Sequence, residues 1–468
     1  MRFKEYTASP CELRYMTETL SLHTPYAMRI LMEKELVKDL SLLDENYRKL
    51  RLLKDISRQS MIFGLLCNVK DIENSIRNVS NSSLLQETEL FEIKNFAFYS
   101  MQISRWICDN AAGLCLLPDL SKVFEILDPD NYKVTSFYIY NSYSPVLAEL
   151  REEFKAVQMG IIDIENASQL PDDERKRKLE YLRVREGELI TLIELEEEKV
   201  RKDLSGRIAV YKTELADAFA MIGELDLLLA KSIQMKELEL CFPTFSCDGK
   251  TKLKGMFHPM LRSVLEKSKK EYQPVDICFE DETICITGAN MGGKTVAIKT
   301  TGLVQILFQF GFGIPAAEAE MTIKDEILFS IEEGQNMREG LSSFAAEMLG
   351  INRIIKHIMD GSNVLALIDE PARTTNPAEG TALVSSLIEL LRGKVSTVLV
   401  TTHYDIEDEN IRRYRVKGFI DGKMNYTLIE AVRGDVPKEA LTIARSIGVD
   451  EKWISLAENY MNTHINNN

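Results

Sequence analysis

Hydrophobic positions recur at three- and four-residue spacing from Thr24 to about Leu127, in PYAMRILMEKELVKDL, SLLDENYRKLRLLKDI and LLQETELFEIKNFAFYSMQISRWIC. That period lines apolar side chains along one face of a helix, so this stretch reads as all-α. Residues 146–235 keep the period at higher charge. VLAELREEFKAVQMGIIDIE predicts a helix, NASQLPDDE a break, and KRKLEYLRVREGELITLIELEEEKVRKDLS a charge-dense stretch. Gly187 with the run Leu189–Leu192 leaves a short hairpin open as the alternative to continuous helix. RIAVYKTELADAFAMIGELDLLLAKSIQM then predicts a long amphipathic helix. A helical arm that goes out and returns fits this order, as does an ordinary solvated antiparallel helix pair.

From about Cys241 the period changes. Short apolar runs (TICITG, ILFSI, VLALID, TVLVTTH) alternate with helical segments, the pattern of a parallel α/β sheet with functional loops at its strand ends. The tail NTHINNN predicts a frayed end.

Composition narrows the classes. At 468 residues the chain predicts more than one domain. No stretch reaches the roughly 20 apolar residues of a membrane span, and the N-terminus lacks the apolar core of a secretory signal. The expected compartment is the cytoplasm, with no membrane partner. The eight cysteines are scattered without a C-x-x-C pair, so neither a zinc site nor a disulfide framework is expected, and Cys285 reads as a small buried hydrophobe. Net charge is −15, the wrong sign for a chain whose main task is gripping nucleic acid, although a local basic patch is compatible with it.

The candidate chemistry begins at Gly288-Ala289-Asn290-Met291-Gly292-Gly293-Lys294-Thr295, which fits G-x-x-x-x-G-K-[ST] between a predicted strand and a predicted helix. Glycines let the backbone wrap phosphates, and the helix N-terminus adds positive potential. Lys294 is expected on the β- and γ-phosphates of ATP and Thr295 on Mg²⁺. Asp369, ending the apolar run VLALID, is expected to reach the Mg²⁺ shell, and Glu370 to orient and deprotonate the attacking water. His403, ending TVLVTTH, is expected to sense the γ-phosphate. In a parallel sheet these three strand ends converge.

Together these residues resemble the MutS family of mismatch-repair ATPases. GANMGGKT is similar to that family's GPNMGGKS, Ile314-Pro315-Ala316 to V-P-A, Gly340–Met348 (GLSSFAAEM) to G-R-S-T-F-M-V-E-M, and Thr402-His403-Tyr404 to T-H-Y. With the acidic pair this makes five motifs in order. The resemblance implies two ATPase domains paired as a homodimer or heterodimer, with Ser342, and with it Ser343, reaching the partner subunit's nucleotide. A serine-capped helix start is the plain alternative. It further implies Tyr272 near the adenine. The fold class expected is multidomain: an all-α core over 1–145, a helical lever arm over 146–240, a MutS-type P-loop ATPase domain over 241–435, and a helical dimerisation element over 436–468.

The departures set the functional expectation. The chain starts almost directly at core-like sequence, so neither a mismatch-reading nor a connector domain is expected. Its arm is acidic at Glu194, Glu196, Glu197 and Glu198, with Arg175–Lys178 as the main basic cluster. DEPARTTNPAEG replaces DEIGRGTSTYDG and ends closer to the second, non-repair MutS paralogue of bacteria, although the extra nuclease domain of that paralogue is not expected here. The chain also resembles short MutS-like ATPases that accompany cobalamin-dependent lysine or ornithine aminomutases. The leading expectation is therefore an ATP-driven reactivase acting on such a protein client. A DNA-binding ATPase that reads branched or looped shape is the alternative, and an ATP-binding structural module is a third.

Overall fold

The computed structural model describes residues 1–54, 60–133, 136–166, 171–288, 293–331, 343–408, 410–420, 423–432, 440–446 and 448–461. Along the chain, α1 (Leu40–Leu53) starts where the Asp39 carboxylate accepts from the Ser41 and Leu42 amides, at 2.8 and 3.0 Å. It buries Leu43, Tyr47, Leu50 and Leu53 on one stripe. Helix α2 (Glu87–Asn110) opens with a capping box of Gln86 and Glu89. Helices α3 (Pro145–Asn166) and α4 (Asp172–Ala209) run side by side, joined by Arg185–Glu153 and Arg183–Glu165 ion pairs. Helix α5 (Lys212–Glu237) follows.

Where a hairpin at Gly187 was open, the structure has α4 unbroken, and Thr191 Oγ1 donates back to the Gly187 carbonyl at 3.1 Å. Strong helix formers flank the glycine, whose cost of about 1 kcal/mol they outweigh. Few α4 side chains are buried, Leu189, Val200, Leu204 and Ile208 among them.

The later strands are β1 (Thr244–Phe245), β2 (Thr251–Met256), β3 (Val275–Phe279), β4 (Thr283–Thr287), β5 (Glu318–Met321), β6 (Glu326–Ser330), β7 (Val364–Asp369), β8 (Thr397–Thr401), β9 (Arg412–Ile420) and β10 (Lys423–Ala431). One sheet has the order β1-β5-β2-β3, the other β10-β9-β4-β8-β7-β6. In the larger sheet every pairing is parallel except the terminal β9–β10 hairpin. The four apolar runs read as strands are β4, β6, β7 and β8. Cys285 on β4 is buried, as its setting predicted. Helix α6 (Lys294–Gln309) packs on this sheet, as do α7 (Ser343–Met359) and α8 (Pro377–Leu391); α9 (Glu451–Tyr460) lies near the C-terminus.

Two compact units emerge. One holds Met1–Ser21, Leu31–Lys54 and Ala230–Asn468; the other holds Leu22–Ile30 and Asp55–Leu229. The division interleaves along the chain. In the first unit, aromatic packing draws the N-terminal residues in: Phe3 meets Phe310 edge-on at 4.9 Å and Phe312 stacked at 5.8 Å. In the second, the buried Asp226 carboxylate accepts from the His23 and Thr24 amides and the Thr24 hydroxyl, which fastens residues 22–30 to α5. Among the described residues no helix is long and apolar enough to cross a membrane.

Candidate functional site

Register brings the candidate residues together. Strand β8 lies between β4 and β7, pairing Ile286 with Thr401 and Thr401 with Asp369. The ends of the three strands therefore stand side by side, where open α/β sheets place ligands. Gly288 and Gly293 have φ of 145° and 80°, conformations that glycine reaches without strain. A Cβ on Gly293 would come within 3.0 Å of the Tyr426 ring, so backbone is held open there for close approach. Ala289, Asn290, Met291, Gly292 and Ser342 lie outside the described residues, as does the Ser343 side chain.

The Lys294 ammonium is 96% buried at the start of α6, donates to the Gly288 carbonyl at 2.7 Å, and sits 3.2 Å from the Glu370 carboxylate. Thr295 Oγ1 donates to Asp369 Oδ2 at 2.8 Å. Thr401 Oγ1 donates to the other Asp369 oxygen at 2.5 Å and accepts from the Glu370 amide at 2.9 Å. Glu370 and Ala372 both take left-handed backbone, φ 43° and 61°. Two bonds hold that loop: the Ala372 amide donates to Glu347 Oε1, and the Tyr404 hydroxyl donates to the Ala372 carbonyl, each at 2.9 Å. Strain of this kind persists only where surrounding contacts over-determine it.

Lys294, Thr295, Asp369 and Glu370 share one cavity of about 580 Å³. Tyr272 lines it too, its hydroxyl accepting from the His258 amide at 3.0 Å. The rest of the wall is largely apolar, with Met256, Leu261, Leu265, Val416, Leu428 and Tyr426, and the Arg373 guanidinium at one side. His403 is exposed, tilted against the Tyr404 ring at 4.3 Å, and is not among the lining side chains. Sequence reasoning passed over Thr401, Tyr426 and Arg373. Thr401 was visible only as a β-branched strand residue, and Tyr426 lies on a hairpin whose pairing with β4 carries no local signal.

The volume suits a nucleotide-sized ligand. The Thr295 hydroxyl and the Asp369 carboxylate, 2.8 Å apart, are the hard oxygen donors that Mg²⁺ takes, so the residues present fit that ion.

Residues 284–457 match the family model of MutS domain V. The chain is 32% identical over 294 residues to Endonuclease MutS2 of Carboxydothermus hydrogenoformans, covering 60% of this chain and 37% of that protein. Endonuclease MutS2 of Caldicellulosiruptor saccharolyticus is 32% identical over 337 residues, covering 68% and 40%. The Staphylococcus aureus protein of the same name is 29% identical over 332 residues, with the same coverage. The chain thus spans about two fifths of the length of these relatives. The matches liken the segment around the cavity to MutS domain V and to part of the MutS2 proteins.

Proposed function

We propose that this chain binds ATP in the cavity, hydrolyses it, and couples the cycle to DNA. The observation that carries the ATP reading is the convergence of Lys294, Thr295, Asp369 and Glu370 at the ends of neighbouring strands. The Gly288–Thr295 motif is assigned to the phosphates on its sequence, and Lys294 exchanges its Gly288 carbonyl for β- and γ-phosphate oxygens. Thr295 and Asp369 hold Mg²⁺, which when bound neutralises charge on those oxygens. Glu370 orients a water and takes its proton as the water oxygen bonds to the γ-phosphorus. The bond from that phosphorus to the bridging oxygen then breaks, leaving ADP and phosphate. Tyr272 stands for the base end of the cavity. His403 is assigned the sensing role and Ser342 of a second copy the completion of the site, both on the family resemblance.

The expectation of a cobalamin-enzyme client finds no support among the relatives. Their printed name, Endonuclease MutS2, favours the DNA-directed alternative. The main basic cluster of the arm, Arg175–Lys178 at the start of α4, follows Asp172, Asp173 and Glu174, with Arg175 paired to Asp172 and Lys178 to Glu174, so the DNA reading rests on the relatives and not on a free basic patch.

The test is ATP turnover with and without duplex, mismatched and branched DNA. Turnover is expected to respond to at least one DNA form, and Glu370→Gln to bind ATP without hydrolysing it. Equal turnover in the two proteins would refute the role of Glu370; indifference to every DNA form at low salt would remove the DNA half.

A further inference from the structure

The far end of α6, the helix that starts at Lys294, is held by an unusual set of partners. Gly311 at φ 67° ends the helix, with the Phe312 amide donating to the Leu307 carbonyl and the Gly311 amide to that of Phe308. Residues distant in sequence take the carbonyls of Gln309, Phe310 and Phe312 and share that of Phe308. The Tyr47 hydroxyl of α1 lies 2.9 Å from the carbonyls of both Phe308 and Phe312. The Val37 amide donates to the Gln309 carbonyl at 3.3 Å. The Lys231 ammonium of α5 donates to the Phe310 carbonyl at 2.6 Å and lies 4.1 Å from the centre of the Phe312 ring.

Lys231 is only 3% exposed. Burying an ammonium is costly unless fixed dipoles compensate it, and the negative end of a helix is such a dipole. The glycine cap already satisfies Leu307 and Phe308, so closing the helix does not require a lysine. What the ammonium adds is a charge tied to the position of α6: moving the helix end away costs its attraction to the carbonyl pole.

The helix transmits that constraint. Its 16 residues make a rod of about 24 Å, buried over nearly its whole length from Ala297 to Gln309. A Cβ on Gly302 would come within 2.6 Å of both Leu367 and Phe329, so the rod lies close against the sheet. A shift at one end therefore reaches the other, where Lys294 sits between the Gly288 carbonyl and Glu370.

We propose that Lys231 is a positioning residue for the nucleotide site. From α5 it sets the axial position of α6, and so the place at which Lys294 meets the phosphates. Tyr47 shares the role from α1. This rests on the ATPase reading above.

The experiment compares wild type, Lys231→Met, Tyr47→Phe and Glu370→Gln for kcat, KM, direct binding of a fluorescent ATP analogue with Mg²⁺, and melting temperature. Displacements near 1 Å far from the chemistry cost up to about 100-fold, so Lys231→Met is expected to lower kcat roughly tenfold while analogue affinity changes by less than about twofold. Tyr47→Phe, which keeps the ring, is expected to lower kcat in the same direction. Wild-type kcat in folded Lys231→Met, whatever its melting temperature, reduces Lys231 to a plain cap and overturns the proposal. Should Lys231→Met fail to fold, Tyr47→Phe decides, and an unchanged kcat overturns it. If Glu370→Gln hydrolyses ATP as fast as wild type, or wild type does not hydrolyse it at all, the underlying reading has failed instead.

Discussion

Thr401 shows what a single uncharged side chain can organise. Its hydroxyl bonds the Asp369 carboxylate and receives the Glu370 amide, fixing the two residues assigned to Mg²⁺ and water. Thr401→Val keeps the shape and removes both bonds. Loss of outer-shell partners of this kind costs 10- to 100-fold, so kcat is expected to fall by about tenfold or more in steady-state assays. Buried charge makes the second case. Lys94, fully buried in the other unit, donates to Asp128 at 2.9 Å, to the Ser136 carbonyl and to the Tyr140 hydroxyl. Asp128→Ala is expected to destabilise that unit by about 3–5 kcal/mol in denaturant titrations. His258 gives a pH dependence. Burial, with Lys299 nearby, lowers its pKa from 6.5 to about 4. Between those values the unfolded chain binds the proton and the folded chain does not, so stability is fully present above about pH 6.5 and is lost as pH falls towards 4. The difference is about 3 kcal/mol, and His258→Gln should flatten the stability–pH curve over that window. None of these roles was visible in sequence, because each depends on a partner brought close by folding.

Among elements, the glycine positions carry the sharpest expectations. Gly302 lets α6 lie against Leu367 and Phe329, and Gly302→Val should cost about 1–3 kcal/mol through overpacking, read as a lower urea midpoint. Gly380, at the start of α8, would place a Cβ 2.3 Å from the Tyr404 hydroxyl. Gly380→Ala should push Tyr404 off the Ala372 carbonyl and loosen the strained loop bearing Glu370. Its kcat is expected to fall several-fold in a chain that still melts cooperatively; unchanged kcat would remove Tyr404 from the support of that loop. Element types were largely legible: the helical period of 146–235 and the runs TICITG, ILFSI, VLALID and TVLVTTH became helices and strands. Gly187 does not break α4, because a glycine marks a break only where its neighbours agree, and around Gly187 they favour helix.

Over the whole molecule, two compact units predict non-two-state unfolding. Saturating ATP with Mg²⁺ should stabilise the unit that holds the cavity, by about 2.7 kcal/mol at 100 times Kd. Calorimetry should then show one transition moving with ATP, and Asp128→Ala moving the other. A common shift of both by either change would mean that the units unfold as one.

The chain's own residues determined the Gly288–Thr295 motif, the acidic strand end and the alternation of strand and helix, because each is written in contiguous residues with a local physical meaning. Register and burial were decided only in three dimensions. They put Thr401 between two carboxylate-bearing positions, brought Tyr426 over Gly293, left His403 exposed beside Tyr404, and drew the N-terminal aromatics onto the end of α6. Such placements arise from strand order and long-range packing, where partners are separated by tens to hundreds of residues and no local pattern marks the pair.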